Sequence, residues 1–390
     1  MLQALKEVAA PVQLGEASID RILAFARAHL GMDLAWISRA AGTVQVVEFV
    51  DGAADTFNVR LGTTLPAFSC VGRRGRAFAT APLQLPDGRL YGYVACLAQT
   101  AGFPPAPRDE QFLELVAALL APSVAALDAE RERRARLGAR VQAVLDAGGP
   151  AMVFQPIWGL HNRRPIACEA LARFPHLGQP RSPDRWFADA AEVGLGAELE
   201  AAAARAGLAA LDHLPSDIAV SVNVSAAHLD HPAVARVLHD ADLDRTIVEI
   251  TEHDQIRDYE AVRRACEPLR DRGCTIAVDD AGAGFAGFQH LVELRPDIIK
   301  LDRQITRNFD CDPARAAMAT ALAGFGRAVG ATLLAEGVET AAELEAAAKF
   351  GIHYAQGYYL GRPQPLKVAL GGAPTGVVLP GPAQRVDLWM

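Results

Sequence analysis

The sequence predicts an α/β protein: a (β/α)8 barrel over residues 148–370, preceded by a smaller α+β module over 1–127 and a linker helix over 128–147. Three observations predict it. After Ala151, eight short apolar runs alternate with helical patterns. Polar residues at 169, 223, 249, 279, 300, 336 and 356 end these runs at gaps of 54, 26, 30, 21, 36 and 20 residues, against roughly 30 per strand–helix unit in such barrels. Gly148-Gly149-Pro150 and Gly371-Gly372-Ala373-Pro374 punctuate the chain on either side, leaving a Gly/Pro-rich tail over 371–390.

In the first module, Ile19, Ile22, Leu23, Ala26 and Leu30 recur at helical spacing. Two strand-like runs follow, Asp33–Ser38 and Val44–Val50, joined by a loop containing Gly42. A second hairpin forms around Pro86-Asp87-Gly88, where proline presets the turn and glycine takes the positive φ. A closing helix carries Phe112, Leu115, Val116, Leu119 and Leu120 on one stripe. Beyond Pro122 the charged stretch Asp128–Leu137, with Val141, Val144 and Leu145 as a thin apolar stripe, reads as a solvated helix able to pair with a twin.

The 390 residues are 51% hydrophobic and 22% charged, which excludes a disordered or collagenous chain. With 38 basic and 46 acidic residues the formal charge is −8, which argues against a protein that coats DNA. The N-terminus has no basic start followed by an apolar run, and the run Leu113–Leu127 carries Glu114 and Pro122 and falls short of a membrane span, so neither a secretory leader nor membrane insertion is expected. Six dispersed cysteines without a CxxC pair point to reduced thiols in the cytoplasm.

Parity within the runs turns the polar positions toward one face. In Ala219–Ser225 the valines at 220, 222 and 224 point one way, while Ser221 and Asn223 point the other. Glu249 lies between Val248 and Ile250 in the same manner, and Lys300 shares a face with Asp302. Glu169, Asn223, Glu249, Asp279 and Asp280 offer oxygen ligands without cysteine or histidine, the preference of Mg²⁺ or Mn²⁺ and not of zinc. The adjacent Asp279 and Asp280 suit a pair of ions, and two ions about 4 Å apart serve in-line displacement at a phosphodiester. Lys300 adds positive charge beside the attacked phosphate or helps deprotonate the water. A lone glutamate is usually a surface salt bridge or a cap, but seven polar groups at unit spacing are not explained that way.

The motifs Phe154-Gln155-Pro156-Ile157, Glu169-Ala170-Leu171-Ala172-Arg173, Ser221–Ser225, Val248–Glu252, Val278-Asp279-Asp280, Ile299–Asp302, Ala335–Glu339 and Gln356-Gly357-Tyr358 together resemble the EAL domain, whose members hydrolyse the bacterial second messenger cyclic di-GMP. The resemblance implies that Glu169, Asn223, Glu249 and Asp279 bind one ion and Asp279 with Asp280 a second. Lys300, Glu336 and Glu169 would be catalytic, and Gln155, Leu171, Arg173 and Gln356 would meet the substrate. Glu252 would anchor the loop after the aspartate pair, and a homodimer is implied. The segments HLGMDLAWISR and LQLPDGRLYGYVACL resemble a GAF domain, a family of small-molecule or protein-sensing modules, which implies an unknown ligand or protein partner there.

The sequence departs from the EAL pattern after the aspartate pair, where Phe-Gly, a hydroxyl residue and Gly give way to Ala281-Gly282-Ala283-Gly284-Phe285. A receptor that holds cyclic di-GMP without cleaving it is therefore an alternative to the hydrolase. A third reading is an enolase-like barrel with a lysine base, which Arg173 and the aspartate pair oppose. His228 and His231 lack the spacing of a helical metal pair, Cys266 and Cys274 read as packed apolar groups, and Gly282-Ala283-Gly284 lacks the surroundings of a phosphate loop.

Overall fold

A computed structural model describes residues 16–66, 77–99, 106–174, 181–250, 256, 258–281 and 285–370. Glu252, residues 282–284 of the divergent loop, the tail 371–390 and the side chain of Asp280 lie outside the described residues. The chain divides into two compact units, Met1–Ala135 and Arg136–Met390.

In the first unit, helix α1 (Glu16–Leu30) precedes strands β1 (Leu34–Ala41), β2 (Val44–Gly52), β3 (Thr64–Pro66), β4 (Phe78–Gln84) and β5 (Leu90–Leu97). They form one antiparallel sheet in the order β3-β2-β1-β5-β4. Gly88 takes φ +87° in the β4–β5 turn, the conformation that glycine alone adopts without strain. Ile19, Ile22, Leu23 and Ala26 of α1 pack with Phe112, Leu113, Val116 and Leu120 on one face of the sheet. Leu113 takes the place predicted for Leu115, which is exposed.

The closing helix and the linker helix are one element, α2 (Pro107–Asp146), which runs through Pro122. The sequence reading separated them because proline lacks the N–H that an interior turn uses. Among the described residues α2 is the one helix long and apolar enough to cross a membrane. Its apolar residues Leu113, Val116, Leu120 and Val124 are buried in the core of the first unit. The stripe predicted to meet a twin is also covered: Val141 and Val144 pack with Trp186, Ala190 and Leu199 of the second unit.

Glu48 in the first unit accepts hydrogen bonds from Tyr91, from Arg39 at 2.7 Å and from Arg131 at 3.0 Å. Burial opposes its charge, but these three donors outweigh burial and hold the carboxyl below its ordinary value of 4.5. A depressed acid contributes stability above its unfolded pKa and loses it as pH falls through the folded value. Glu48→Gln is expected to cost about 1–2 kcal/mol at pH 7, with the deficit closing below about pH 4; thermal melts across pH check it, and a deficit independent of pH contradicts the assignment.

The second unit is a closed eight-stranded barrel: β6 (Ala151–Gly159), β7 (Arg164–Arg173), β8 (Ala219–Asn223), β9 (Thr246–Ile250), β10 (Thr275–Ala281), β11 (Ile298–Leu301), β12 (Thr332–Ala335) and β13 (Tyr354–Ala355). All eight predicted runs are strands. One feature corrects the expected (β/α)8 pattern: β6 is antiparallel to both β7 and β13, and the other neighbours are parallel. Residues 160–163 between β6 and β7 cannot hold the dozen or so residues of a parallel crossover, so the pair is a hairpin. The long gap after Glu169 holds two helices, α3 (Pro183–Glu192) and α4 (Gly196–Leu208).

Side-chain alternation sorts the barrel into layers. Val220, Val222, Val248, Ile250, Ile276, Val278, Ile299, Leu301 and Leu333 belong to the large core under the helices. The other face turns inward, where Ile157, Ala167, Ala219, Ile247, Ala277, Ile298 and Leu334 form an apolar plug. Two residues beyond each of these, toward the strand C-termini or backward along the reversed β6, stand Gln155, Glu169, Ser221, Glu249, Asp279, Lys300 and Glu336. Gln356 follows Tyr354 in the same way.

Candidate active site

Every strand therefore contributes one polar residue to a single layer above a dry plug. Lys300 is at its centre, 1% exposed, with Nζ 2.6 Å from Glu249 Oε2, 2.8 Å from Glu336 Oε1, 3.0 Å from Asp279 Oδ1 and 3.9 Å from Glu169 Oε1. Glu249 also accepts from Ser221 Oγ at 2.6 Å. Glu169 accepts from Gln356 Nε2 at 2.6 Å and from Asn223 Nδ2 at 3.3 Å. The same Gln356 amide donates to Gln155 Oε1 at 3.1 Å, and Gln155 Nε2 donates to the Gly361 carbonyl at 3.0 Å. The amides thus clamp Glu169, while the ammonium clamps the other three carboxylates.

This layer is short of positive charge. Burial first, and then Glu169 and Asp279, push the Glu249 carboxyl up to about 8 despite the lysine beside it. Burial disfavours the Lys300 charge, yet Asp279, Glu169, Glu249 and Glu336 together hold its pKa well above the ordinary value. Four carboxylates facing one ammonium make a site that attracts further cations.

A cleft of about 240 Å³ opens over the layer, lined by Gln155, Glu169, Asp279, Glu336 and Gln356 below. Its rim is Arg303, Gly337, Glu339, Gly357 and Tyr358. Arg303 Nη2 pairs with Glu339 Oε1 at 2.7 Å, and the Arg362 guanidinium lies 4.2 Å from the centre of the Tyr358 ring. Carboxylates beneath, and the Arg303–Glu339 pair and an aromatic ring at the mouth, suit a polar ligand with a flat face.

A family model described as the EAL domain matches residues 139–363, more than half of the chain. The chain belongs to the EAL family. The bifunctional diguanylate cyclase/cyclic di-GMP phosphodiesterase MucR of Pseudomonas aeruginosa is 30% identical over 228 residues, 56% of this chain and 33% of that protein. The cyclic di-GMP phosphodiesterase PA2567 of the same organism is 30% identical over 233 residues, 57% of this chain and 40% of that protein. The chain thus spans less than half the length of these curated relatives. Among solved structures, the PaMucR phosphodiesterase in complex with c-di-GMP is 29% identical, with a TM-score of 0.51, covering 59% of this chain and 98% of that one.

In this EAL barrel the predicted residues fall into three groups. Gln155, Glu169, Asn223, Glu249, Asp279, Lys300, Glu336 and Gln356 are brought together. Arg173 and Leu171 are not among the cleft-lining residues: Arg173, at the end of β7, is exposed and donates to the Ala172 carbonyl at 2.8 Å, and Leu171 is half-buried. Glu252 and the Asp280 side chain lie outside the described residues. Sequence reasoning gave no role to Ser221, Arg303, Glu339 or Tyr358. Parity places Ser221 on the inner face, whereas Arg303 opens a four-residue helix and Glu339 and Tyr358 lie outside helices and strands, where no periodicity marks them.

The oxygen donors and their excess negative charge fit a hard cation in kind. Gln356 Oε1 is buried without a hydrogen-bond partner, a further oxygen at the site. Among the described residues, no group of three or more His, Cys, Asp or Glu side chains is placed to hold a metal ion as it stands. The carboxylates close on the Lys300 ammonium.

Proposed function

We propose that this chain hydrolyses cyclic di-GMP, opening one phosphodiester bond to give the linear dinucleotide pGpG with the help of Mg²⁺ or Mn²⁺, two ions in all. One observation carries the reading: strand ends far apart in sequence gather Glu169, Glu249, Asp279, Lys300 and Glu336 under an open cleft. EAL membership and relatives named as cyclic di-GMP phosphodiesterases support it.

Glu169, Asn223, Glu249 and Asp279 would hold one ion, and Asp279 and Asp280 the second. When bound, such ions supply Lewis acidity and a more acidic water. Glu336, at the cleft and 19% exposed on its side chain, is open to take a proton from an attacking water. Lys300 offers a buried positive charge where the phosphate's negative charge grows. Gln155 and Gln356 orient Glu169 and face the substrate.

A receptor that binds cyclic di-GMP without turnover is the second reading, favoured by the divergent Ala281–Phe285 sequence and by carboxylates that close on Lys300. The first unit we read as a GAF-type sensing module for a small molecule or protein; its antiparallel sheet between N- and C-terminal helices supports that. We also propose a cytoplasmic location, in keeping with the proposed substrate. A homodimer rests on the family resemblance alone, because Val141 and Val144 are covered within their own unit.

Full-length protein incubated with cyclic di-GMP and Mn²⁺ or Mg²⁺ is expected to release the linear dinucleotide, resolved by liquid chromatography, and EDTA is expected to stop it. Tight binding by calorimetry with intact ligand after long incubation supports the receptor instead. Neither binding nor turnover overturns both readings.

A further inference from the structure

We propose that Lys300 is the resident counter-ion of the carboxylate layer, and that a divalent cation enters only by displacing its ammonium. The inference rests on the metal-dependent reading above and goes beyond it, because it concerns what the chain does before any substrate arrives.

The geometry is that of a cation already coordinated. Nζ lies within 3.0 Å of Glu249, Asp279 and Glu336 oxygens and 3.9 Å from Glu169. An ammonium has three donors, and three carboxylates take them. Glu169, Glu249 and Asp279 are the same carboxylates that would hold an ion. Three of the layer's carboxylates instead meet at the Lys300 nitrogen. An ion held by Glu169, Glu249 and Asp279 would share these carboxylates with the ammonium, and two positive charges a few ångströms apart in a buried layer repel strongly.

The choice of residue supports a movable occupant. Of the chain's 38 basic residues only four are lysines, at positions 6, 300, 349 and 367, and the rest are arginines. Lysine is a compact ammonium on a flexible four-carbon stem, whereas arginine is a rigid planar fork that holds carboxylates two at a time. In a chain built mostly with arginine, the cation at the centre of the carboxylate layer is a lysine, whose stem lets the charge shift while staying nearby. The open side of the layer is the cleft, so Lys300 would exchange its carboxylates for the ligand phosphate there, and metal and anion binding would be linked.

The test uses the full chain without nucleotide. Mn²⁺ is titrated calorimetrically into wild type, Lys300→Met and Lys300→Arg, with thermal melts of each before and after metal. Lys300→Met is expected to melt lower than wild type without metal, to bind Mn²⁺ at least 10-fold more tightly and to gain more on saturation. Lys300→Arg keeps the charge and is expected to bind no better than wild type.

With only four lysines, ¹³Cε-lysine spectra report the displacement directly. The resonance missing from Lys300→Met is expected to move when wild type is saturated with Mg²⁺. If Lys300→Met does not fold without metal, recovery of the native circular dichroism on adding Mn²⁺ supports the displacement, and failure to recover overturns it. Wild-type binding that Lys300→Met leaves equal or weaker, or a Lys300 resonance unmoved at saturation, overturns the displacement alone. No Mn²⁺ binding by any variant overturns the metal-dependent reading together with it.

Discussion

Glu169→Ala is expected to lower the rate of the proposed cyclic di-GMP hydrolysis by about 10³-fold or more, while far-UV circular dichroism is unchanged. The residue sits inside β7, paired with Gln155 across the hairpin and with Ser221 on β8, so alanine keeps the backbone ladder. What disappears is the acceptor for the Gln356 amide at 2.6 Å and the Asn223 amide at 3.3 Å. Asn223 then loses this anchor, while Gln356 keeps its bond to Gln155 Oε1 at 3.1 Å. Glu169→Gln, which keeps the shape and removes the charge, is expected to be as inactive as alanine. Stability should change little, because removing one carboxylate from an overcrowded layer relieves repulsion even as it takes an acceptor from two amides. A residual rate within tenfold of wild type would remove Glu169 from the catalytic set.

The second large effect is expected from a glycine. A Cβ built on Gly357 would stand 2.1 Å from the Val338 carbonyl oxygen and 2.2 Å from its nitrogen, backbone atoms that have no room to yield. The close approach exists because segment 336–339 and segment 356–359 are tied together: Val338 N donates to Gln356 O at 3.0 Å, and Tyr359 N donates to Val338 O at 3.1 Å. Glu336 rides on one segment and Gln356 on the other. Gly357→Ala must part them, and misplacement of about 1 Å in a catalytic constellation costs on the order of 100-fold. We expect kcat/KM to fall by that factor with the melting temperature lowered by only a few degrees. Wild-type kinetics in a folded Gly357→Ala protein would mean that the two segments are free to separate.

Much of this was legible in the sequence because a barrel interior obeys parity. Ser221 between Val220 and Val222, and Glu249 between Val248 and Ile250, can point only one way if the valines and isoleucine are packed under helices, and they are. Strand direction is not written in that alternation. β6 reads the same in either sense, and the clue was the short span from Gln155 to Glu169, too small for a helix. Pro122 misled because burial of Leu113, Val116, Leu120 and Val124 on one face outweighs a missing hydrogen bond. The motif gives Arg173 as a phosphate contact; β7 runs four residues past Glu169 and carries Arg173 at its exposed C-terminal end, where the guanidinium donates to the Ala172 carbonyl.

The reversed first strand bears on how a signal would reach the chemistry. In an all-parallel barrel the incoming chain joins the floor, remote from the catalytic rim; here Ala151 pairs with Arg173, so the polypeptide descending from Asp146 arrives at the rim itself. Four residues later it supplies Gln155. A slip of β6 by a single residue would swing that amide out of the lumen and part it from Gln356, so the register set where the chain enters the barrel also sets the hydrogen bond that joins the two glutamines.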